Sequence, residues 1–97
     1  MESYQFERDF VAVVVEIIES RGLKHDAVAK DAWSGRRAAG RTWQFMRNNN
    51  PPQRLTMRDA HALAKYLGVS MAGLCGIVEG RAIQDSMKYH KRSIPEV

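Results

Sequence analysis

GRRAAGRTWQFMRNNN, residues Gly35 to Asn50, is the stretch on which the reading of this chain turns. Its first eight residues fit G-x-x-x-x-G-[KR]-[ST], one letter from the phosphate-cradling Walker A pattern, with Arg41 standing where that pattern has lysine. Its second half places Trp43 and Met46 at helical spacing, with Arg41, Thr42 and Gln44 around them. A Walker A loop works only where a buried strand runs into a helix, so that backbone N–H groups surround the phosphates. The flanking sequence therefore decides between a nucleotide loop and a polar, Arg-bearing helix.

Upstream, Phe6 to Ser20 contains no Gly or Pro, and Phe10, Val14 and Ile17 recur at helical spacing, so a first helix is expected, closed by Arg21-Gly22. Val11, Val15 and Ile18 add a second apolar stripe. That face is wider than one packing partner requires, and either the C-terminal segment or a second subunit is expected to cover it. A short second helix follows from about His25 to Trp33, with Asp26 near its start, where the helix dipole favours an acid. Ala29 on it is small enough to let another helix cross closely. Ser34-Gly35 breaks the pattern, and a third helix begins no later than Gly40 and ends near Asn48. Ala39, Trp43 and Met46 share its inward face, while Phe45 lies off that stripe, either covering the loop before the next helix or open to a partner.

Downstream, Asn48-Asn49-Asn50-Pro51-Pro52 is a stop, because proline cannot donate to a helix and pushes its predecessor into extended geometry. Thr56 to Asp59 has the spacing of a capping box before Ala60, Leu63, Ala64 and Leu67, giving a fourth helix that ends at Gly68. Ser70 caps a fifth, with Met71, Leu74, Cys75 and Val78, in which Gly73, Gly76 and Gly80 either weaken the helix or permit close packing. Residues 1–80 form one domain, and residues 81–97 a C-terminal helical extension to about Tyr89 followed by a basic tail. No segment alternates as a strand. The fold class is therefore all-α, and the nucleotide-loop reading falls with the missing sheet.

Charge is distributed unevenly over the 97 residues, whose formal net charge is +4. Residues 1–31 carry four Lys/Arg and seven Asp/Glu, a net of −3. Residues 32–58 hold Arg36, Arg37, Arg41, Arg47, Arg54 and Arg58 with no acid, a net of +6, and residues 59–97 are nearly balanced at +1. Six arginines without a lysine or an acid favour an anionic partner, since the guanidinium fork pairs bidentately with phosphate and with guanine.

Five short helices with a small residue in the second and a polar outer face on the third describe a helix-turn-helix. The chain resembles the lambda-repressor-like, or XRE-type, DNA-binding domains over roughly Val14 to Leu74. The resemblance lies in ESRGLKHDAVAKDAW, TWQFMRNNNPPQRLT and DAHALAKYLGVSMAGL, of which the last is the closest. Two departures stand out. Trp33 occupies the place of the glycine that usually ends the second helix, and SGRRAAG lengthens the turn to the third by about four residues relative to the usual pattern. The resemblance implies a five-helix domain whose third helix lies in the DNA major groove. Matching Trp43 and Met46 to the family's inward positions then implies that Gly40, Arg41, Thr42 and Gln44 face base edges. Arg41 suits guanine O6/N7 and Gln44 adenine N6/N7. Phosphate contacts are expected from His25, Arg36, Arg37, Arg47, Asn48, Asn49 and Arg54.

Other chemistry has little to build on. Cys75 is alone in an apolar run, which excludes a disulfide framework or a thiolate zinc site and reads as a small buried hydrophobe. His25, His61 and His90 have no partner at metal-ligand spacing, and the acids are scattered over the surfaces of the first, second and fourth helices. No metal, cofactor, small-molecule substrate or enzymatic activity is expected. The longest apolar run, Phe10 to Val15, is far too short for a membrane span, and MESYQFERD carries acids where a secretory leader carries bases, so a cytoplasmic protein is expected. The expectation is a sequence-specific binder of double-stranded DNA, a small transcriptional regulator of bacterial or phage type acting as a homodimer. The alternative is a protein-interaction module on the same fold, antitoxin-like or an adaptor. Structured RNA as the anion is a third reading.

Overall fold

A computed structural model of the chain describes residues 3–48 and 54–81. They form five helices and, among the described residues, no strand. These are α1 (Ser3–Ser20), α2 (His25–Ala32), α3 (Ala39–Asn48), α4 (Met57–Leu67) and α5 (Met71–Arg81), the last running to the end of the described residues. The expected tail beyond residue 81 lies outside them, as does Asn49.

α1 is rich in β-branched residues, whose restricted rotamers make them modest helix formers, so packing stabilises it more than propensity does. Phe10, Val11, Val13, Val14 and Ile18 are all buried, while Val15 and Ile17 are half-buried against the same core. The helix is closed by Leu23 N–H donating to the Ile18 carbonyl at 3.0 Å and Gly22 N–H to the Glu19 carbonyl at 3.1 Å. This is a Schellman motif, and Gly22 supplies its left-handed residue at φ 69°. α4 ends the same way: Val69 N–H donates to the Ala64 carbonyl at 3.0 Å and Gly68 N–H to the Lys65 carbonyl at 3.1 Å, with Gly68 at φ 72°. At the start of α4 the Thr56 hydroxyl accepts from the Asp59 N–H at 3.1 Å, and at the start of α5 the Ser70 hydroxyl accepts from the Gly73 N–H at 2.9 Å. Both N-caps form, each short side chain satisfying one orphan helix donor, but the box at Thr56 is only half made, because the Asp59 carboxylate pairs with Arg36 instead.

The helices surround one core. Trp43, Leu63, Leu74, Ile18, Val14, Val28 and Val78 are its largest fully buried side chains, drawn from all five helices. α2 packs on α3 and α4, and α1 packs on α3 and α2. Ala29, fully buried, permits that close crossing. Trp33 and Trp43 meet edge to face, with ring centroids 6.1 Å apart and planes at 80°. α5 turns through 103° from α4, places Leu74 and Val78 in the core, and ends with Arg81 in a two-pronged pair with Glu16 of α1 at 2.7 and 2.9 Å. The C-terminal segment expected as one cover for the wide face of α1 lies beyond residue 81, outside the described residues. No single helix among the described residues is long and apolar enough to cross a membrane; α4 and α5 are apolar together, but Leu63, Leu67, Leu74 and Val78 line this core.

Two expectations need correction. Asp59 is 6% exposed and not a surface acid, because the first turn of α4 backs onto the long turn between α2 and α3. Cys75 is half-buried and not fully enclosed, because it lies at the rim of an apolar groove lined by Phe6, Phe10, Leu55, Met57, Ala60 and Met71.

Candidate nucleic-acid interface

The turn from Trp33 to Ala38 settles where α3 begins. Arg36 N–H donates to the Trp33 carbonyl at 2.9 Å, with Gly35 between them at φ 88°, a conformation that glycine adopts without steric cost. Ala38 then takes φ 56°, left-handed and strained for a residue with a Cβ, and its carbonyl accepts the first helical bond from Thr42 N–H at 3.0 Å. Arg36 and Arg37 therefore belong to the turn, and α3 starts at Ala39.

The two arginines then part ways. Arg36 reaches inward: its guanidinium pairs with the Asp59 carboxylate at 2.6 Å and lies 4.8 Å from the centre of the Trp33 ring, whose Nε1–H donates to the Asp59 carbonyl at 3.1 Å. Arg36, expected as a phosphate contact, is thus engaged within the fold, because a nearly buried carboxylate is costly without a paired cation. Arg37 is exposed, and among the described residues its side chain has no hydrogen-bond or ion-pair partner.

On α3 the buried residues Ala39, Trp43 and Met46 point to the core. Arg41, Gln44 and Asn48 are exposed on the opposite side, within one arc of the helical wheel, and their side chains are likewise without partners among the described residues. Thr42 and Phe45 are half-buried at its edges. Gly40 is half-buried for a steric reason: a Cβ there would overlap the Asp26 carboxylate of α2. The Asp26 side chain is exposed and would have to turn aside to admit one. Asp26 itself pairs with Lys30 at 2.9 Å, and this pair raises the Lys30 ammonium above its ordinary pKa, first through the hydrogen bond and then through the opposite charge.

Three more expected phosphate contacts occupy different settings. His25 is held on both ring nitrogens, Nε2 lying 2.9 Å from the Glu19 carboxylate and Nδ1 accepting from Trp43 Nε1–H at 3.1 Å. It faces inward because Trp43 is fully buried and needs an acceptor. Arg47 is half-buried, its guanidinium 6.0 Å from the Trp43 ring centre, and its Nε is buried without a hydrogen-bond partner among the described residues. Burial lowers its pKa below the ordinary arginine value, against the opposing charge of Glu19. Arg54 is 83% exposed and only loosely paired, 3.8 Å from Glu7, whose other oxygen accepts from Leu55 N–H. Arg58 was not singled out in the sequence beyond its charge. It is exposed beside Arg36 in a cleft lined by Trp33, Ser34, Gly35 and Asp59, and its place in the acid-free segment was the available signal.

Arg37, Arg41, Gln44 and Asn48 are thus exposed and unpaired among the described residues, whereas His25 is engaged by Glu19 and Trp43 and Arg36 by Asp59. Among the described residues no group of three or more His, Cys, Asp or Glu side chains is placed to hold a metal ion. Compared with protein-family models, with curated proteins and with solved structures, the chain matches none.

Proposed function

We propose that this chain is a lambda-repressor-like DNA-binding domain, a small transcriptional regulator of bacterial or phage type. On this reading α2 and α3 form the helix-turn-helix and α3 enters the major groove. The observation that supports it most is the exposed, unpaired arc of Arg41, Gln44 and Asn48, preceded by Arg37, within a segment that has no acid from Ala32 to Arg58. Arg41 and Gln44 are the base readers, each worth about 1–3 kcal/mol of discrimination when bidentate. Arg37, Asn48 and Arg54 contact phosphate, and Arg58 joins them. A homodimer on a palindromic site is the natural arrangement for such a domain. Catalysis forms no part of this proposal.

The test is selection of bound fragments from random duplex DNA, followed by affinity measurement on the selected site over a salt series. Binding that falls steeply with salt, with a slope of about −0.9 per neutralised phosphate, supports the proposal. Arg41→Ala and Gln44→Ala should relax sequence preference, whereas Arg37→Ala should weaken all duplexes alike. No retention of any duplex at low salt, or unchanged preference in the first two variants, refutes the proposal.

A protein-interaction module on the same fold is the second reading. It is favoured by a separate feature, the apolar groove between α1, α4 and α5, beside which Met57 is 81% exposed.

A further inference from the structure

We infer that His25 is a positioning residue for α3: its neutral ring, protonated on Nε2, ties Glu19 of α1 to Trp43 of α3, and a proton on Nδ1 undoes that tie. Trp43 is fully buried and its Nε1–H can only donate, so the atom it meets at 3.1 Å, His25 Nδ1, must carry a lone pair. The ring's one proton then sits on Nε2, facing the Glu19 carboxylate at 2.9 Å. This fixes the tautomer by geometry. The imidazolium has N–H groups on both sides, so it sets donor against donor at Trp43 and strips a buried indole of its acceptor.

The charged groups around the ring are Glu19 from α1 and Arg47 from α3, which lies over the Trp43 ring and feels the Glu19 charge, with Lys24 and Asp26 as chain neighbours. Glu19 accepts from Nε2–H, and Trp43 donates to Nδ1. The ring thus joins an exposed carboxylate, 64% accessible, to an enclosed indole on the helix that carries Arg41, Gln44 and Asn48. The effect on binding rests on the DNA reading; the tautomer and the indole contact do not.

The experiment is nitrogen-15 NMR of the whole chain from roughly pH 8 to roughly pH 5, with affinity for the selected duplex measured at both ends. His25→Asn places an amide oxygen near the position of Nδ1, still accepting from Trp43 but unable to take up a proton. His25→Ala removes the acceptor and assigns the resonance. In the native chain His25 should show the Nε2–H tautomer at the upper end. The Trp43 indole N–H should shift as His25 gains its proton while that of Trp33 stays in place, and in His25→Asn the Trp43 signal should be insensitive to pH. Duplex affinity should be equal in the two proteins at the upper end and about three- to tenfold weaker in the native chain at the lower, the size expected for a lost buried acceptor. A Trp43 signal indifferent to the His25 proton, or an Nδ1–H tautomer, overturns the inference, as does equal duplex affinity of the two proteins at both ends. If the indole responds as expected but neither protein retains duplex at any pH, the DNA reading fails and the positioning role of His25 stands.

Discussion

Replacing Arg36 by alanine tests whether this arginine is a structural strut or a ligand contact. In the fold its guanidinium sits 2.6 Å from a carboxylate whose side chain is 9% accessible, and 4.8 Å from the Trp33 ring centre. A hydrogen bond to a charged group contributes about 1.5–3 kcal/mol. The cation–ring contact adds about 0.5–1 kcal/mol. Arg36 is itself 35% accessible, so solvent takes back part of the first figure, and a net cost of about 2 kcal/mol is expected. For a domain of this size that lowers Tm by about 8–16 °C. Arg36 lies in a turn, so helix propensity does not confuse the result. Arg37→Ala is the matched control and should change stability by less than about 0.5 kcal/mol. Urea and thermal unfolding followed by circular dichroism supply the values, and a double-mutant cycle with Asp59→Asn isolates the pair from the effect of the acid on the α4 dipole. The expected coupling is about 1–2 kcal/mol, little changed by salt because one partner is buried. A coupling near zero, or an Arg36→Ala protein of native stability that has lost anion affinity, refutes this reasoning and returns Arg36 to the interface.

Three further outcomes are expected. Thr56→Ala removes the acceptor for Asp59 N–H and should cost about 1 kcal/mol, while Thr56→Asp should be close to neutral; equal losses in both, measured by urea unfolding, would sink the capping argument. Ala38→Gly relieves about 1–2 kcal/mol of left-handed strain against about 0.4–1 kcal/mol of added unfolded-chain freedom, so the midpoint should rise; Gly68→Ala, at φ 72°, should lower it, and a fall in the first variant contradicts the strained turn. Glu16 has its pKa lowered chiefly by the hydrogen bond from Arg81, so its contribution is present above the ordinary carboxylate range and is lost as pH falls through the depressed folded value. The Tm difference between the native chain and Glu16→Gln should accordingly vanish in acid and shrink in salt, and a difference that persists at low pH rules out this pair as its source.

Much of the molecule was legible in the sequence because local signals and burial agreed. The Thr56 and Ser70 caps, the Gly22 and Gly68 ends, and the inward set Ala39, Trp43 and Met46 could be placed from spacing alone, since capping and helical periodicity act within a few residues. Reading failed where the deciding partner was distant in the chain. Arg36 and Arg37 are adjacent and identical in type, yet one meets Asp59, 23 positions away, and the other meets solvent. His25 looked like a surface contact until α3 brought Trp43 against it from 18 positions away.

The sequence by itself determined the all-α class, the five helices and the acid-free arginine segment, because each follows from periodicity, end signals and counted charge. Only the tertiary structure decided which cations and acids were already committed. Desolvation makes a buried carboxylate or indole N–H demand a partner, and burial depends on which helices the chain brings together.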